Sequence, residues 1–511
     1  MKNKYNLIQI CLPSAMLLAL PLVGRAEDFN YTTNNSKITI TQYIGPGGAV
    51  TIPDTINGFP VTAIGQDAFF QSQGLTSVIL STNVTTLADN AFFQCFTLAS
   101  VTIPASVTNI GQGPFFDCQS LTVISVSPSN SFYTNVNQLL FNKAQNNLIQ
   151  FPGGIGGSYT LPAAVMNVGE AFVGNTLTNI SVNTTNTIYS SVNGVLFNKN
   201  QSQLISYPGR APGGVAGTYT IPASVTTIVS AAFEYATSVT NVIIGTGVTS
   251  IGYVAFYDCA SLTMISVNAA NSFYSSTNGV LFDKNKTQFI QFPVAVGGSY
   301  TIPGTVTNIE DGAFGDDVAL AQVVIPNSVT NIGIQAFYGC ENLASVTIGN
   351  HVRSIGQAAF FLCTNLSSLV FPASVTRIDA QAFSNCGNLS SVCFEGTQPI
   401  DGGNIFFFDN ALSTILYVNG ATGWGATYDG FATAPCPTCG NSLPQLFIIQ
   451  SGTNVLLGWS TDFSAFTLQS TTNLLLPASW GTVSPAPSVV GALEVVTNAI
   501  SGTRKFYRLT Q

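Results

Sequence analysis

Charge is the scarcest property of this 511-residue sequence. Lys, Arg, Asp and Glu make up 7% of the residues, against about 25% in ordinary soluble domains, and histidine occurs once. The apolar share of 46% excludes an intrinsically disordered chain, which needs low hydrophobicity and high net charge. With 14 basic and 22 acidic residues the chain is net acidic, so we expect no nucleic-acid partner.

Long apolar runs are missing after residue 26, so we expect no transmembrane segment in the mature chain. Residues 1–26 have the pattern of a secretory signal peptide. Two lysines precede an apolar stretch that ends at Val23, and small residues occupy positions −3 and −1 of a cleavage site after Ala26. The sequence therefore predicts export, to the cell surface or the medium. A retained anchor is less favoured because two prolines shorten the apolar stretch.

Candidate catalytic residues are few. The single histidine, His351, lies in a turn where other copies of a repeat carry Ser, Thr or Gly, so we expect an exposed, inert side chain. The neighbouring acidic pairs are Glu310-Asp311 and Asp316-Asp317, and nothing in the sequence places a second pair opposite either one, as a glycosidase requires. We interpret them as acidic loops, and expect no enzyme activity, no cofactor and no metal site.

A 23-residue period dominates what the sequence does contain. The phrase L-x-x-V-x-I-P-x-S-V-T-x-I-G-x-x-A-F-x-x-C has eleven copies, whose phenylalanines are Phe69, Phe92, Phe115, Phe172, Phe233, Phe256, Phe314, Phe337, Phe360, Phe383 and Phe406. Each copy holds two short β-rich pieces, such as 98–103 and 106–111. Neither piece buries its apolar side alone, so successive coils must stack around a shared core. The turn Ala-Phe-x-x-Cys is too short for more than one helical turn or a 3₁₀ piece, so helix content should be low.

Three intervals between these phenylalanines are longer and carry a second phrase that includes G-V-L-F-[ND]-K. They are residues 130–162, 186–222 and 271–303. Asn193-Gly194 and Asn278-Gly279 precede apolar runs and predict tight turns. We interpret the segments as β-hairpins that extend one coil sideways, although the first copy departs from the pattern at Gln138-Leu139.

Six cysteines share one position of the repeat, three residues after the phenylalanine: Cys95, Cys118, Cys259, Cys340, Cys363 and Cys386. Other copies place Ser, Asn, Ala or Asp there, which favours a buried small side chain and a stack of thiols. Disulfides between stacked coils are the alternative, because stacked Cα atoms would lie within disulfide range. For Cys436 and Cys439, in a Pro-containing link, we favour a small structural disulfide over a redox site.

From residue 443 the pattern changes to short alternating strands, which predict a small antiparallel β-sandwich. The sequence thus divides into a signal peptide at 1–26, capping strands at 27–66, repeats at 67–430, a linker at 431–442 and a C-terminal module at 443–511.

The repeat phrases resemble the BspA-like leucine-rich repeat family of secreted and surface proteins, over roughly residues 30–430. The start, with Ile38-Thr39-Ile40 and residues 49–53, resembles the family's N-terminal capping hairpin, and the C-terminal module is similar to fibronectin type III-like modules. The resemblance implies a mainly β, leucine-rich-repeat solenoid of about eleven 23-residue coils with hairpin insertions. It also implies binding to protein or cell-surface ligands.

Outward strand positions form rows of uncharged hydroxyl and amide groups, which are candidates for contact with a ligand. They are Ser77, Ser100, Thr102, Asn179, Asn241, Ser345, Thr347, Ser368 and Ser391. Ser and Thr are equally compatible with plain solvent exposure, so both interpretations stay open. The hairpin aromatics are rival contact points, or pack beneath the hairpins: Phe132, Tyr133, Tyr189, Phe273 and Tyr274.

These observations predict a non-enzymatic, exported binding or adhesion protein that is a monomer and recognises an extracellular protein or a cell-surface glycan. The alternative is a glycan-binding accessory protein of a polysaccharide-degrading system. It predicts glycan binding by the C-terminal module, which contains Trp459 and Trp480.

Overall fold

The structure, a computed structural model, describes residues 22–23, 25–209, 217–436, 446–451, 454–460, 467–472, 480–490, 493–499 and 505–510. The chain divides into two compact units, one formed by residues 1–156 and 164–176, the other by residues 157–163 and 177–511. The one helix in the described ranges is a 3₁₀ turn at Ala26–Asp28. The prediction of low helix content is confirmed.

Each repeat contributes one strand to each of two stacks, which we call ladder 1 and ladder 2. Ladder 1 collects the first β-rich piece of each repeat and ladder 2 the second. In the first unit, ladder 1 consists of Leu22–Val23, Gly48–Thr51, Leu75–Ile79, Ser100–Ile103 and Val123–Val126, all parallel. Ladder 2 consists of Phe29–Asn34, Lys37–Tyr43, Phe59–Ile64, Thr86–Leu87 and Asn109–Ile110, with Thr55–Ile56 paired to the third. Its first two strands form an antiparallel hairpin, and the others are parallel.

The first hairpin segment pairs Tyr133–Val136 with Leu139–Asn142, and Leu148–Gln150 continues its sheet. Asn137 and Gln138 form the turn with φ angles of 48° and 71°, the left-handed conformation that tight hairpin turns require. The predicted hairpin is therefore confirmed, with Gln138 in the position that glycine takes in the other two copies. The boundary of the two units crosses the paired strands Gly156–Leu161 and Thr176–Val182.

In the second unit both ladders are split into separate sheets. The paired strands Gly156–Leu161 and Thr176–Val182 belong to ladder 1. Three further sheets of ladder 1 contain Gly217–Thr220, Val239–Ile244 and Met264–Val267; Gly298–Thr301, Leu320–Val324 and Ser345–Thr347; and Ser368–Phe371, Ser391–Phe394, Thr414–Val418, Phe431–Cys436 and Thr427–Tyr428. The two sheets of ladder 2 each begin with a predicted hairpin. They contain Tyr189–Val192, Val195–Asn198, Gln203–Ser206, Thr227–Ile228 and Ser250–Ile251; and Tyr274–Thr277, Val280–Asp283, Gln288–Gln291, Asn308–Ile309, Asn331–Ile332, Ser354–Ile355, Arg377–Ile378 and Ile400–Asp401.

The chain after residue 446 forms two antiparallel sheets. One contains Phe447–Ser451, Asn454–Ser460, Leu493–Ala499 and Ser488–Val490, and the other Gly481–Thr482, Thr467–Thr471 and Phe506–Thr510. Trp459 and Val496 of the first sheet share a buried cluster with Leu468 of the second. The predicted small β-sandwich is confirmed, whereas its resemblance to fibronectin type III-like modules stays a prediction.

The repeat phenylalanines fill the interior of both units, and all eleven are at most 3% exposed. In the second unit their rings stack from coil to coil, with centroids 4.6 Å apart for Phe314 and Phe337 and 4.8 Å apart for Phe337 and Phe360. Burial of one such side chain contributes about 1.5–3 kcal/mol. The prediction that stacked coils share an apolar core is confirmed within each unit.

The three hairpin segments do more than extend a coil sideways. After each hairpin the chain completes a further turn, whose aromatic ring packs on the next repeat phenylalanine. The pairs and their centroid separations are Phe151–Phe172 at 5.6 Å, Tyr207–Phe233 at 4.9 Å and Phe292–Phe314 at 5.0 Å. With these turns and the strands Thr414–Val418 and Phe431–Cys436, the described coils of both units make about 16 turns, where the repeat phrase alone predicts about eleven. The extra rings do not follow the 23-residue period, because each lies 35 or 36 residues after the preceding repeat phenylalanine.

Backbone hydrogen bonds also join the Ala-Phe turns of successive coils. In one coil of the second unit the amide–carbonyl pairs are Gln335–Gln357, Phe337–Ala359 and Gly339–Phe361, at 2.7–2.9 Å. Gln335 and Gly339 adopt φ angles of 53° and 68°, so the turn is not helical. At the last repeat, the amide of Phe406 donates instead to the Asp429 carboxylate at 2.7 Å, which closes this row of hydrogen bonds.

The six cysteines of the repeat position are buried thiols, as predicted. Each Sγ–H donates to the carbonyl of the phenylalanine one coil earlier, at sulfur–oxygen distances of 3.0–3.3 Å. Burial raises the pKa of the Cys340 thiol well above its usual value, which keeps this donor protonated. The alternative of disulfides between these stacked cysteines is wrong.

Two copies carry aspartate in this position. Asp317 and Asp409 are at most 2% exposed. One oxygen of Asp317 accepts from the amides of Ala319 and Leu320, both at 3.0 Å, while Oδ2 is buried without a partner in the described ranges. Burial raises the pKa of both carboxyl groups to about 7. The charged form of each is therefore disfavoured in the folded chain.

Candidate functional site

The nine predicted ligand-facing side chains all lie on ladder 1 strands, and none of them is buried. Ser77 and Ser100 are in register on neighbouring strands of the first unit, and Ser368 and Ser391 are in register in the second. Alternation along each strand sends neighbours such as Val101 into the core. Parallel strands lie about 4.8 Å apart, so in-register positions form closely spaced rows.

Ladder 2 uses its hydroxyl groups to hold coils together. The threonines that precede its strands donate to the backbone carbonyl at the equivalent position one coil earlier. The donors are Thr85, Thr108, Thr249 and Thr330, at oxygen–oxygen distances of 3.1–3.4 Å. The hydroxyl groups of these threonines therefore form hydrogen bonds within the fold, even though Thr85 and Thr108 are exposed to solvent.

Thr122, Thr263 and Ser390, which precede ladder 1 strands, make the same bond to the coil before them. The nine predicted side chains within the ladder 1 strands differ in this respect. Across the described ranges, none of the nine predicted side chains makes a hydrogen bond within the protein. Seven of them keep their polar groups open to solvent. The other two are Asn241 and Thr347, where Oδ1 and Oγ1 are buried without a partner. Asn241 and Thr347 are therefore the least accessible of the nine, and Ser77, Ser100, Thr102, Ser368 and Ser391 are better placed.

The outward rows also contain apolar side chains that the sequence analysis did not single out. Val123 is in register with Ser100, and Met264 is in register with Asn241. Both are exposed, Met264 to 45%. The signal was present in the sequence, because Val123 follows Ser100 by one 23-residue period. The surface is thus polar with isolated apolar contacts.

The hairpins divide ladder 1. In the second unit the amides of Ile180 and Ile265 donate to the carbonyls of Gly194 and Gly279, each at 2.9 Å. These two glycines are in the hairpin turns, which therefore cover the edge where the next ladder 1 strand would pair. The candidate surface is a set of separate patches and not one continuous row.

A buried asparagine and a lysine hold each hairpin in place. Asn186 is 1% exposed, donates to the carbonyl of Pro162 at 3.0 Å and accepts from the amides of Ile188 and Tyr189 at 2.8 Å. Lys199 Nζ donates to the Asn186 carbonyl at 2.5 Å. Equivalent bonds join Lys143 to Asn130 and Lys284 to Asn271. The Lys of G-V-L-F-[ND]-K is therefore structural.

The hairpin aromatics split between the two predicted roles. Phe132 and Phe273 are half exposed. Tyr189 is buried, while Tyr133 and Tyr274 are partly buried and their hydroxyls accept from the amides of Ile110 and Ile251 at 2.9 Å. Only Phe132 and Phe273 of this set remain candidates for contact with a ligand.

The candidate catalytic residues are placed as follows. His351 is exposed in its turn, as predicted. In the described ranges, no group of three or more His, Cys, Asp and Glu residues is arranged to hold a metal ion. The same ranges contain no helix of the length and apolarity needed to cross a membrane. Asp317 packs inside a coil, so the pair Asp316-Asp317 is not simply an acidic loop.

The predicted disulfide between Cys436 and Cys439 stays a prediction. Cys436 lies at the end of the strand Phe431–Cys436, and Cys439 lies outside the described residues. Cys393, on a ladder 1 strand, is disulfide-bonded. Sequence reasoning missed it because Cys393 is outside the repeat position shared by the other six cysteines.

The two tryptophans of the C-terminal module differ in how far they are available to stack on a sugar ring. Trp459 is fully buried in the core of the module. The guanidinium of Arg508 lies 4.3 Å from the centre of the Trp480 ring and covers one of its faces. Arg508 is itself held by Gln469, at 2.8 and 3.0 Å. For the alternative, glycan-binding interpretation, Trp459 and Trp480 together therefore offer at most one face of the Trp480 ring.

Comparison with known families gives one clear match. The model described as "BspA type Leucine rich repeat region (6 copies)" matches residues 49–156, 217–297 and 298–413, which is more than half of the chain. A search of curated proteins finds no match.

Solved structures provide distant likenesses. A leucine rich cell surface protein from Faecalibacterium prausnitzii is 24% identical with a TM-score of 0.38, over 78% of this chain and 97% of its own. The pneumococcal vaccine antigen PcpA is 16% identical with a TM-score of 0.36, over 77% and 86%. A leucine-rich repeat protein from Bacteroides ovatus is 17% identical with a TM-score of 0.25, over 80% and 97%. Because each TM-score is below 0.5, no conclusion follows from these likenesses.

Proposed function

Because the chain belongs to the BspA type leucine rich repeat family, we propose that it is an exported, non-enzymatic binding protein of the cell surface or the medium. Its ladder 1 surface recognises an extracellular protein or a cell-surface ligand. The observation that carries the proposal is that the nine predicted side chains of ladder 1 make no hydrogen bond within the described chain, whereas the hydroxyl groups just before the strands of both ladders do.

A partner would bind such a surface through many hydrogen bonds, each of which adds little to the affinity. Each hydrogen bond contributes about 0.5–1.5 kcal/mol net, so several in-register rows are needed for useful affinity. The side chains carry no charge, which favours an uncharged backbone or hydroxyl-rich partner over a polyanion. Glycan binding through the C-terminal tryptophans is the less favoured alternative, since Trp459 is buried.

The proposal is tested with the purified protein on arrays of matrix proteins, cell-surface proteins and glycans. The double variant Ser77→Arg and Ser100→Arg places two bulky cations on ladder 1 of the first unit. We expect it to weaken capture of the bound ligand by at least about tenfold. Asn109→Arg, at an exposed ladder 2 position of the same unit, is the matched control and should bind normally. Failure of the unmodified protein to bind any array member would contradict the proposal, and so would equal binding by both variants.

A further inference from the structure

One cysteine of the second unit lies on the outward face of ladder 1 and is bonded through its sulfur. Cys393 is part of the strand Ser391–Phe394 and is disulfide-bonded. Its neighbours Val392 and Phe394 belong to the buried core of the coils. Because side chains alternate along a strand, Cys393 points to the opposite, outward face.

Cys393 is covered, although its position is outward. It is 7% exposed, whereas Val370, in register with it one coil earlier, is 39% exposed. Leu416, in register one coil later, is only partly buried. The segment that carries the second sulfur of the disulfide must lie against this position, because the bond holds the two Cα atoms within about 7 Å of each other. The low exposure of Cys393 therefore agrees with a chain segment fastened over the outward face.

The six cysteines of the repeat position are not the partner of Cys393. They are thiols inside the coils, and the one nearest in the chain, Cys386, donates through Sγ to the carbonyl of Phe360 at 3.2 Å. Cys393 points away from that interior. Since the sequence contains ten cysteines, the remaining candidates are Cys11, Cys436 and Cys439.

The register of ladder 1 excludes Cys436. Leu416 is paired with Cys393 on one side and with Ala434 on the other, so Ala434 is level with Cys393 two strands away. Cys436 is two residues further along its strand. Two strand spacings of about 4.8 Å and two residues of about 3.3 Å place the Cα atom of Cys436 about 12 Å from that of Cys393. A disulfide requires a Cα separation of about 4.4–6.8 Å.

We propose that Cys393 is bonded to Cys439 and that the linker after Cys436 is thereby held on the outward face of the last ladder 1 strands. Cys439 lies outside the described residues. It follows Cys436 by three residues, which span up to about 10 Å when extended, so the chain is long enough to bring it to bonding distance of Cys393. Cys11 is the poorer candidate, because it lies in the predicted signal peptide. An exported chain meets the oxidising conditions under which such a bond persists.

This assignment replaces the predicted pair of Cys436 and Cys439 and sets a limit to the ladder 1 surface. The linker covers the row that contains Cys393. Ser368 and Ser391 belong to the neighbouring outward row and are exposed, so they stay available to a ligand. The bond also fastens the connection to the C-terminal module to the last coils. The assignment does not depend on what ladder 1 binds.

The test counts thiols in the full chain, exported by the expression host into an oxidising compartment and labelled with N-ethylmaleimide in denaturant without reductant. Intact-mass spectrometry gives the number of labels. We expect Cys439→Ser to carry one label more than the unmodified chain, because it releases the sulfur of Cys393. Cys436→Ser is the matched control and should carry one label fewer, because it removes a labelled sulfur and leaves the bond in place. Peptic digestion of the unmodified chain should yield a cross-linked pair of peptides that contain Cys393 and Cys439.

Other label counts would overturn the proposal. One label more in both variants would assign the bond to Cys436 and Cys439. One label fewer in Cys439→Ser and one more in Cys436→Ser would assign it to Cys393 and Cys436, and one fewer in both would point to Cys11. As a second measurement, Cys393→Ser and Cys439→Ser should each lower the thermal unfolding midpoint by about 4 °C or more, and the double variant should lower it no further. Additive shifts would contradict a bond between the two residues.

Discussion

The outward positions within the ladder 1 strands and the positions just before the ladder 2 strands carry the same kinds of residue, but they use their hydroxyl groups differently. Thr85 of ladder 2 is exposed and donates to the carbonyl of Thr62 at 3.1 Å. Thr102 of ladder 1 is equally exposed and donates to no group of the described chain. Composition cannot separate these two residues. The direction of the side chain relative to the stacking axis separates them, because only a hydroxyl that points along the stack reaches the coil before it.

The largest effect should follow from removing what the two ladders share. Phe337 lies between the rings of Phe314 and Phe360, with no exposed surface. We expect Phe337→Ala to destabilise the second unit by about 3–5 kcal/mol, because it removes buried area and leaves a cavity. Urea unfolding followed by tyrosine fluorescence measures the change.

Phe273→Ala is the matched control for this substitution. Phe273 is half exposed on a hairpin of the same unit, so its truncation should change the free energy of unfolding by less than about 0.5 kcal/mol. Equal losses from the two variants would show that the ladders do not enclose a common phenylalanine core.

A second effect concerns the buried position that lies between the ladders in each coil. The pKa of Asp317 is about 7 in the folded chain, above the value of about 3.9 for an unfolded aspartate. Since the folded state holds the proton more tightly, the contribution of Asp317 to stability is fully present below about pH 4 and is lost as the pH rises through about 7. The total amounts to at most about 4 kcal/mol, from about three pKa units.

Asp317→Asn should remove this part of the pH dependence. Asparagine already occupies the same position of the repeat at Asn175, so the variant is expected to fold. It should be more stable than the unmodified chain at pH 8 and should unfold with a smaller change of midpoint between pH 5 and 8. Identical pH profiles for the two proteins would contradict the assignment, with thermal melting across this range as the measurement.

Much of the fold could be predicted from the sequence because every 23-residue period places apolar residues at the same positions, and each coil must bury them in the same way. Phe337 recurs every 23 residues with an apolar strand before it, so its burial follows from the pattern alone. The Asn193-Gly194 turn was predictable because its backbone conformation selects those residues. Phe151, Tyr207 and Phe292 were not recognised as core rings, because the hairpins shift them out of the period.

The candidate sites were less predictable, because they depend on contacts between coils. The acidic pair Glu310-Asp311 was interpreted as an isolated loop, although Asp283 faces the same cleft across a hairpin. Asp283 is 27 residues before Glu310 in the sequence, so the sequence alone does not show that these residues line the same cleft. Which hydroxyls the fold uses is equally hidden, since Ser, Thr and Asn fill outward positions of both ladders.

One paired measurement most directly tests the difference between the hydroxyl groups that the fold uses and the outward hydroxyl groups of ladder 1. Thr85→Val and Thr102→Val make the same isosteric change at two exposed positions of the first unit, and urea unfolding gives the free energy lost by each. We predict a loss of about 1 kcal/mol for Thr85→Val, which removes a hydrogen bond between coils, and a change of less than about 0.5 kcal/mol for Thr102→Val. Equal losses at both positions, or a larger loss at Thr102, would show that the ladder 1 hydroxyls are committed to the fold and not held open for a partner.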